Sequence, residues 1–326
     1  MARSDSPATR RLSIGETFGL TPPLVRRLRE VRVAARGDGS VPPSRFDATS
    51  LGIFQPTLSV KTWLGWRPGG GLLPVTNLPN RTPTPIADGW SVRKTQVRDF
   101  RGKTLTYDSH NGTDFGIPIG TRVAAAADGV VLRVSSELHR GGLKVFIDHG
   151  AGLITTSNHL GRALVSPGER VLRGQVVALS AYSGIDAIVS FPWVTPHVHF
   201  NVWLDGEYVD PFAIDGERAL WLHGNDARTA EGDERDDFEP TAWDAARVDA
   251  AIDACRDPAV REELRSTREL DRRAMDVLFQ QNYFPGRFST RVPLFDARHP
   301  RSGRLTLPFL RADYTRVWMA DEPLDA

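Results

Sequence analysis

The chain is 326 residues long, enough for one large domain or two ordinary ones. At 40% hydrophobic and 25% charged it has a soluble globular composition, and a formal net charge of +1 gives no global reason to expect nucleic acid as a partner. The single cysteine, Cys255, excludes an intrachain disulfide framework and a thiolate zinc site, so any metal must sit on histidine and carboxylate ligands.

The opening MARSDSPATRRLSIGETFGL has no continuous apolar core behind its basic residues and does not read as a secretory leader. No stretch reaches the roughly 18 apolar residues of a spanning helix, so no transmembrane segment is expected and the chain as written reads as cytoplasmic. Thr21-Pro22-Pro23 then opens a predicted helix, LVRRLREVRVAAR, that Gly37 ends. Leu24, Leu28 and Val31 share one face of it, which is expected to pack on the body. Residues 37–85 are rich in Pro and Gly and read as an irregular wrap, with Gly69-Gly70-Gly71 as a turn. Residues 1–90 are therefore an N-terminal helix followed by an irregular segment.

From residue 91 to about 215 the texture becomes short β-branched runs broken by Gly, Pro and Asp: VVLRV (130–134), LKVFIDH (143–149), LITTSNH (153–159), QVVALS (175–180) and VHFNVWL (198–204). A weak echo relates GTRV (120–123) and DGVV (128–131) to GERV (168–171) and RGQVV (173–177). It suggests a barrel-like sheet built from two related halves. Residues 216–240 are acidic and poor in large apolar side chains, as in a linker. In 241–326, Thr241 caps one predicted helix running to about Cys255, and a second runs from Pro258 to about Gln281. The apolar face of the second is Leu264, Leu270, Met275, Leu278 and Phe279. The fold class is α+β, with a β-rich domain of antiparallel sheets flanked by the N-terminal wrap and a C-terminal helical element.

The chemistry concentrates between residues 110 and 199. His197-Val198-His199 precedes a strand-like run, and residues i and i+2 of a strand face the same side, so both imidazoles can converge on one point. His110-Asn-Gly-Thr-Asp114 places an imidazole and a carboxylate four residues apart, with Gly112 permitting a turn that folds both inward. Zinc accepts His nitrogen and Asp oxygen, and three protein ligands with one open position form its usual catalytic arrangement. A histidine that is not a ligand can take a proton from water or donate to an oxyanion. His159, at the end of ITTSNHL, and one member of the 197/199 pair suit that work. His149 and Asp148 read as local strand-end chemistry, and His139, His223 and His299 as solvated.

Residues 107–212 resemble the catalytic domain of the lysostaphin-like (LytM-type) zinc endopeptidases. The resemblance lies in HNGTDFGIPIGTRVAAAADGVV, VFIDHGAGLITTSNHL, VSPGERVLRGQVVALSAYSG and PHVHFNVWLDGEYVDP, in that order. It implies one zinc held by His110, Asp114 and His199, with His159 and His197 as catalytic non-ligand histidines, in a metal groove of antiparallel sheets. It also implies hydrolysis of a peptide bond in bacterial cell-wall peptidoglycan, and a family usually exported. Four features depart from the family pattern. Ser157 replaces a Tyr that would contact substrate, Val198 replaces Leu, Asn201 stands where Glu is common, and residues 183–196 form a longer link whose Phe191 and Trp193 are expected to cap or narrow the groove. A retired zinc-binding or regulatory module, and a zinc peptidase acting on a non-wall peptide, are the alternative readings of the same residues.

Overall fold

The computed structural model describes residues 11–83, 89–232, 237–296 and 298–324. The N-terminal part is more helical than its Pro/Gly content suggests. It contains α1 (Ile14–Phe18), α2 (Leu24–Arg36), a 3₁₀ turn at Ala48–Ile53, and α3 (Pro56–Trp63), which Pro56 opens at its first turn. Gly37 ends α2 as expected, at φ 69°. The face of α2 that docks is not the apolar one, however. Arg27, Glu30 and Ala34 are buried, whereas Leu28 is 70% exposed and Leu24 is exposed too. The buried charges drive this orientation because they are matched. Arg27 donates to Glu30 (3.0 Å) and to the Ser136 carbonyl (2.9 Å), and Glu30 accepts the Leu138 amide (2.8 Å).

The strands are β1 (Leu72–Asn77), β2 (Thr113–Gly116), β3 (Arg122–Ala124), β4 (Gly129–Glu137), β5 (Gly142–Asp148), β6 (Leu153–Ala163), β7 (Arg170–Val171), β8 (Val176–Ser180), β9 (His197–Leu204), β10 (Glu207–Tyr208) and β11 (Arg316–Met319). A short helix, α4 (Ile185–Ser190), interrupts the link between β8 and β9. The sheet runs β11-β1-β2-β9-β6-β5-β4-β7, antiparallel except for β1 against β11. The echo in the sequence appears as exchanged pairing: β3 pairs with β8 and β4 with β7, each strand of one half joining the other half.

The sheet does not close into the expected barrel; it forks at β6. Residues 153–158 of that strand pair with β9, and residues 160–163 pair with β8. The switch falls at His159, whose φ is 59°. A non-glycine residue in the left-handed region costs on the order of 1 kcal/mol, although His tolerates it better than most.

One core cluster fills the inner side of the sheet and includes Phe115, Val198, Phe200, Trp221 and Phe309. A second lies between the sheet and α5 (Ala245–Asp253), α6 (Pro258–Ser266) and α7 (Leu270–Tyr283). There Phe146, Ile154 and Trp203 meet Ile252, Met275, Leu278 and Phe279. The single helix expected over 258–281 is two, because the backbone is extended at Thr267 and Glu269. Asp244, not Thr241, caps α5, and Thr241 instead donates to Asp148 (2.5 Å). The segment read as a linker is anchored, with Ala227 and Thr229 buried. Among the described residues, no helix is long and apolar enough to cross a membrane.

Candidate metal centre and its groove

β2 and β9 bring the first donors together through register. Asp114 is the direct partner of His199, and Gly116 that of His197, so Asp114 and both histidines of the pair share one face. Asp114 Oδ1 lies 2.7 Å from His199 Nδ1. His110 enters from the loop before β2, its Nε2 3.1 Å from Asp114 Oδ2 and 3.2 Å from His199 Nδ1. One donor atom from each of these residues falls within 4.8 Å of the others.

The surroundings orient each candidate donor. His110 Nδ1 donates to the Leu78 carbonyl at 2.7 Å, which directs the Nε2 lone pair toward Asp114. That lone pair and a carboxylate oxygen 3.1 Å apart repel unless a cation or proton stands between them. Two imidazoles and one carboxylate are the donor set of a borderline-soft divalent cation, and the residues fit such an ion. His199 Nε2 has Asn111 Oδ1 at 3.1 Å and Asn201 Nδ2 at 2.9 Å. Either tautomer of that ring therefore finds a partner, an acceptor when Nε2 carries the proton and a donor when it does not. Asn77 Nδ2 donates to the second Asp114 oxygen at 3.0 Å.

Gly112 serves differently from the sequence expectation. It is not in a positive-φ turn; a Cβ there would lie 2.7 Å from His199 Nε2 and 2.7 Å from the Phe200 carbonyl. The glycine makes room for the His199 ring.

His159 and His197 stand beside the three donors without joining them. Alternation along β6 would turn His159 away from the groove-facing Asn158, and the left-handed backbone brings it back. His159 Nδ1 donates to the Ser183 carbonyl (2.8 Å) and His197 Nδ1 to the Thr195 carbonyl (2.8 Å). Each thus keeps Nε2 free of hydrogen bonds, although His197 Nε2 lies 3.6 Å from Asp114 Oδ1, and the two rings are 4.8 Å apart. Burial pushes the His159 pKa well below its ordinary value, and the charges of His197 and His199 push it the same way. Burial works to raise the Asp114 pKa, but His110 and His197, with hydrogen bonds from His110 and His199, outweigh it and hold the carboxyl well below the usual range.

Of the five histidine and aspartate positions singled out in the sequence, Asp114, His159, His197 and His199 line one groove, and His110 is buried against Asp114. The groove has a volume of about 480 Å³, and its walls include Phe54 and Trp90 from the N-terminal part and Tyr283 from α7. No aromatic residue stands at Ser157, but Tyr182 supplies a ring 5.6 Å from His159 and 5.0 Å from His197. Phe191 and Trp193 do not line the groove. Phe191 packs outward on Phe18 and Trp63, and Ile185 and Val189 of α4 form that wall instead. His149 is a buried structural residue: Nδ1 donates to the Asp128 carbonyl (3.0 Å) and Nε2 accepts from Thr155 (2.9 Å). His139 is half-buried against Phe284, not solvated, and His299 pairs with Asp205 (2.6 Å). Sequence reasoning missed Asn111, Asn77, Tyr182 and Ser183. Asn111 was within reach as the neighbour of His110, and Asn201 as the i+2 partner of His199.

Residues 108–211 match the model of peptidase family M23. An uncharacterized metalloprotease of Haemophilus influenzae is 34% identical over 105 residues, covering 32% of this chain and 21% of that protein. The peptidoglycan DD-endopeptidase ShyA of Vibrio cholerae is 34% identical over 128 residues, 39% of this chain and 28% of its own length. Among solved structures, a zinc-containing peptidase from Vibrio cholerae is 29% identical, covering 42% of this chain and 35% of that one, with a TM-score of 0.31. The match thus spans about a quarter of the length of the curated relatives. Residues 108–211 are a peptidase M23 domain of the lysostaphin-like type.

Proposed function

We propose that this chain is a zinc-dependent endopeptidase that hydrolyses a peptide bond in bacterial cell-wall peptidoglycan. The observation that carries the reading is the pair of non-ligand imidazoles, His159 and His197, each with its Nδ1 occupied by a backbone carbonyl and its Nε2 left free beside a three-donor metal set. The peptidoglycan DD-endopeptidase among the relatives supports the choice of substrate.

A bound zinc ion supplies Lewis-acid polarisation of a carbonyl and acidifies water. His110, Asp114 and His199 would hold it. His159, kept neutral by burial, accepts a proton at Nε2, and its Nδ1–H bond to Ser183 stabilises the resulting imidazolium. His197, fixed in the same way on Thr195, presents its Nε2 to the same space and serves as the second proton-handling group. The aromatic and aliphatic walls exclude water and seat an extended peptide.

The test is turnover of purified peptidoglycan by the zinc-loaded chain, compared with His159→Ala. We expect one zinc in each protein and a loss of about 100-fold or more in kcat for the variant. Unchanged turnover in a zinc-loaded His159→Ala protein would overturn the mechanism.

A further inference from the structure

The groove wall carries a cation that the chemistry above leaves unused. Arg140 lines the groove and is only 7% exposed. Arg27, equally buried, meets Glu30 at 3.0 Å, and the partly buried Arg101 meets Asp99 at 2.9 Å. Arg140 meets none within ion-pair distance among the described residues. Its hydrogen bonds go to backbone carbonyls, Nη1 to His139 at 3.2 Å and Nε to Tyr283 at 3.4 Å, and its guanidinium lies 5.9 Å from the centre of the Phe284 ring, which leaves Nη2 without a hydrogen bond. The neighbouring Lys144 is already matched by Glu137 at 2.6 Å. Asp186, another groove residue, acts on Arg140 only through space.

Position gives this cation a role. Arg140 precedes Gly141, whose carbonyl accepts the His159 backbone amide at 2.8 Å, so its backbone adjoins the residue proposed to react, and both residues line the groove. Tyr283, from α7, closes the other side of it, outside the segment that matches the peptidase family. A buried guanidinium is costly unless a partner satisfies it, and its planar fork suits a carboxylate better than any other group of a peptide.

We infer that Arg140 is a specificity residue of the groove, which takes a free carboxylate of the peptide substrate. The inference rests on the hydrolase reading for its substrate, and it makes Arg140 a binding group, not a proton-transfer group. A carboxamide in the same place leaves the guanidinium charge unmatched, so the preference is for free carboxylates over amidated ones.

The probe is a cross-linked peptide dimer released from peptidoglycan, used with its carboxylates free or converted to carboxamides. For the wild-type chain loaded with zinc, amidation is expected to raise KM about tenfold or more with kcat within about twofold, the size of one lost charge-assisted contact. In Arg140→Gln that difference shrinks to about twofold or less, and Arg140→Lys, which keeps the charge without the fork, falls between them. No carboxylate preference in the wild type overturns the inference, and this arm needs no variant to fold. Retention of the full preference in Arg140→Gln overturns it as well. If neither dimer is cleaved, the hydrolase reading fails separately, and binding of the two dimers to the zinc-loaded His159→Ala chain decides. A tenfold preference for the free carboxylate there supports Arg140, and equal binding overturns it.

Discussion

Asp114 and His199 stand directly opposite each other in the β2–β9 ladder, and their side chains meet at 2.7 Å. Strand register alone therefore sets the distance between two candidate metal donors, and only His110 depends on a loop. Asp114 is also the one anionic member of the candidate set, opposed by the imidazoles of His110, His197 and His199. We expect Asp114→Asn to keep the fold and lose zinc affinity by more than about 100-fold, beyond the range for groups that merely orient ligands. Competition with a calibrated chelator measures it; affinity within about tenfold of the wild type contradicts the assignment of Asp114 as ligand.

Asn111 offers a finer test. Its side-chain oxygen faces His199 Nε2 at 3.1 Å, and Asn201 donates to that same oxygen at 3.0 Å. A ligating Nδ1 needs the ring proton on Nε2, and Asn111 is the acceptor for it. Asn111→Ala is expected to weaken zinc binding by about 10- to 100-fold while leaving the unfolding midpoint of the metal-free protein nearly unchanged. Zinc binding as tight as in the wild type would show that His199 takes its tautomer from elsewhere.

How much of this could be read from residues alone differs between the strands and their surroundings. His197 and His199 are separated by one residue, and the period of a strand puts both on one face whatever the rest of the chain does. His159 follows no such rule. Alternation points it away from the groove, and only the switch of β6 from β9 to β8 re-aims it, a long-range pairing that no local pattern encodes. The docking face of α2 failed for a related reason. Apolar periodicity marks Leu24 and Leu28, but burial of Arg27 and Glu30 is decided by acceptors and donors about 110 positions away, at Ser136 and Leu138. The break between α6 and α7 has neither Gly nor Pro at Thr267–Glu269 to announce it. The two halves of the echo were visible, but not that their strands exchange partners.

Gly142 connects the fold to His159, the histidine proposed to react. Its φ is 64°, and a Cβ there would lie 2.2 Å from Ser183 Oγ and 2.3 Å from the Ser183 carbonyl oxygen, the group that holds His159 Nδ1. Gly142→Ala must move Ser183 or its own strand. We expect a loss of stability of about 1–3 kcal/mol, and a fall in kcat of more than about tenfold at temperatures where the variant remains folded. Loss of stability with full kcat would mean that the Ser183 contact does not position His159.

Two buried groups remote from the metal ligands make opposite contributions to stability in one pH range. Burial pushes His149 down to about 4, so the unfolded chain takes a proton near pH 6.5 that the folded chain refuses. Its contribution is full above pH 6.5 and is lost as pH falls toward 4, by about 3 kcal/mol. Burial pushes Asp210 up to about 7, outweighing the Phe212 amide that donates to one oxygen and the Arg81 guanidinium 3.5 Å from the other. The unfolded carboxyl releases its proton near pH 4 while the folded one keeps it, so this contribution is full below pH 4 and is lost as pH rises to 7, by about 4 kcal/mol. The two slopes partly cancel in the wild type and separate in variants. Urea unfolding between pH 4 and pH 7.5 should show the stability advantage of the wild type over His149→Gln shrinking as pH falls. The same series should show Asp210→Asn gaining on the wild type as pH rises. Metal ligands titrate in all three proteins and drop out of these differences. A variant whose curve runs parallel to the wild type would remove the corresponding group from the balance.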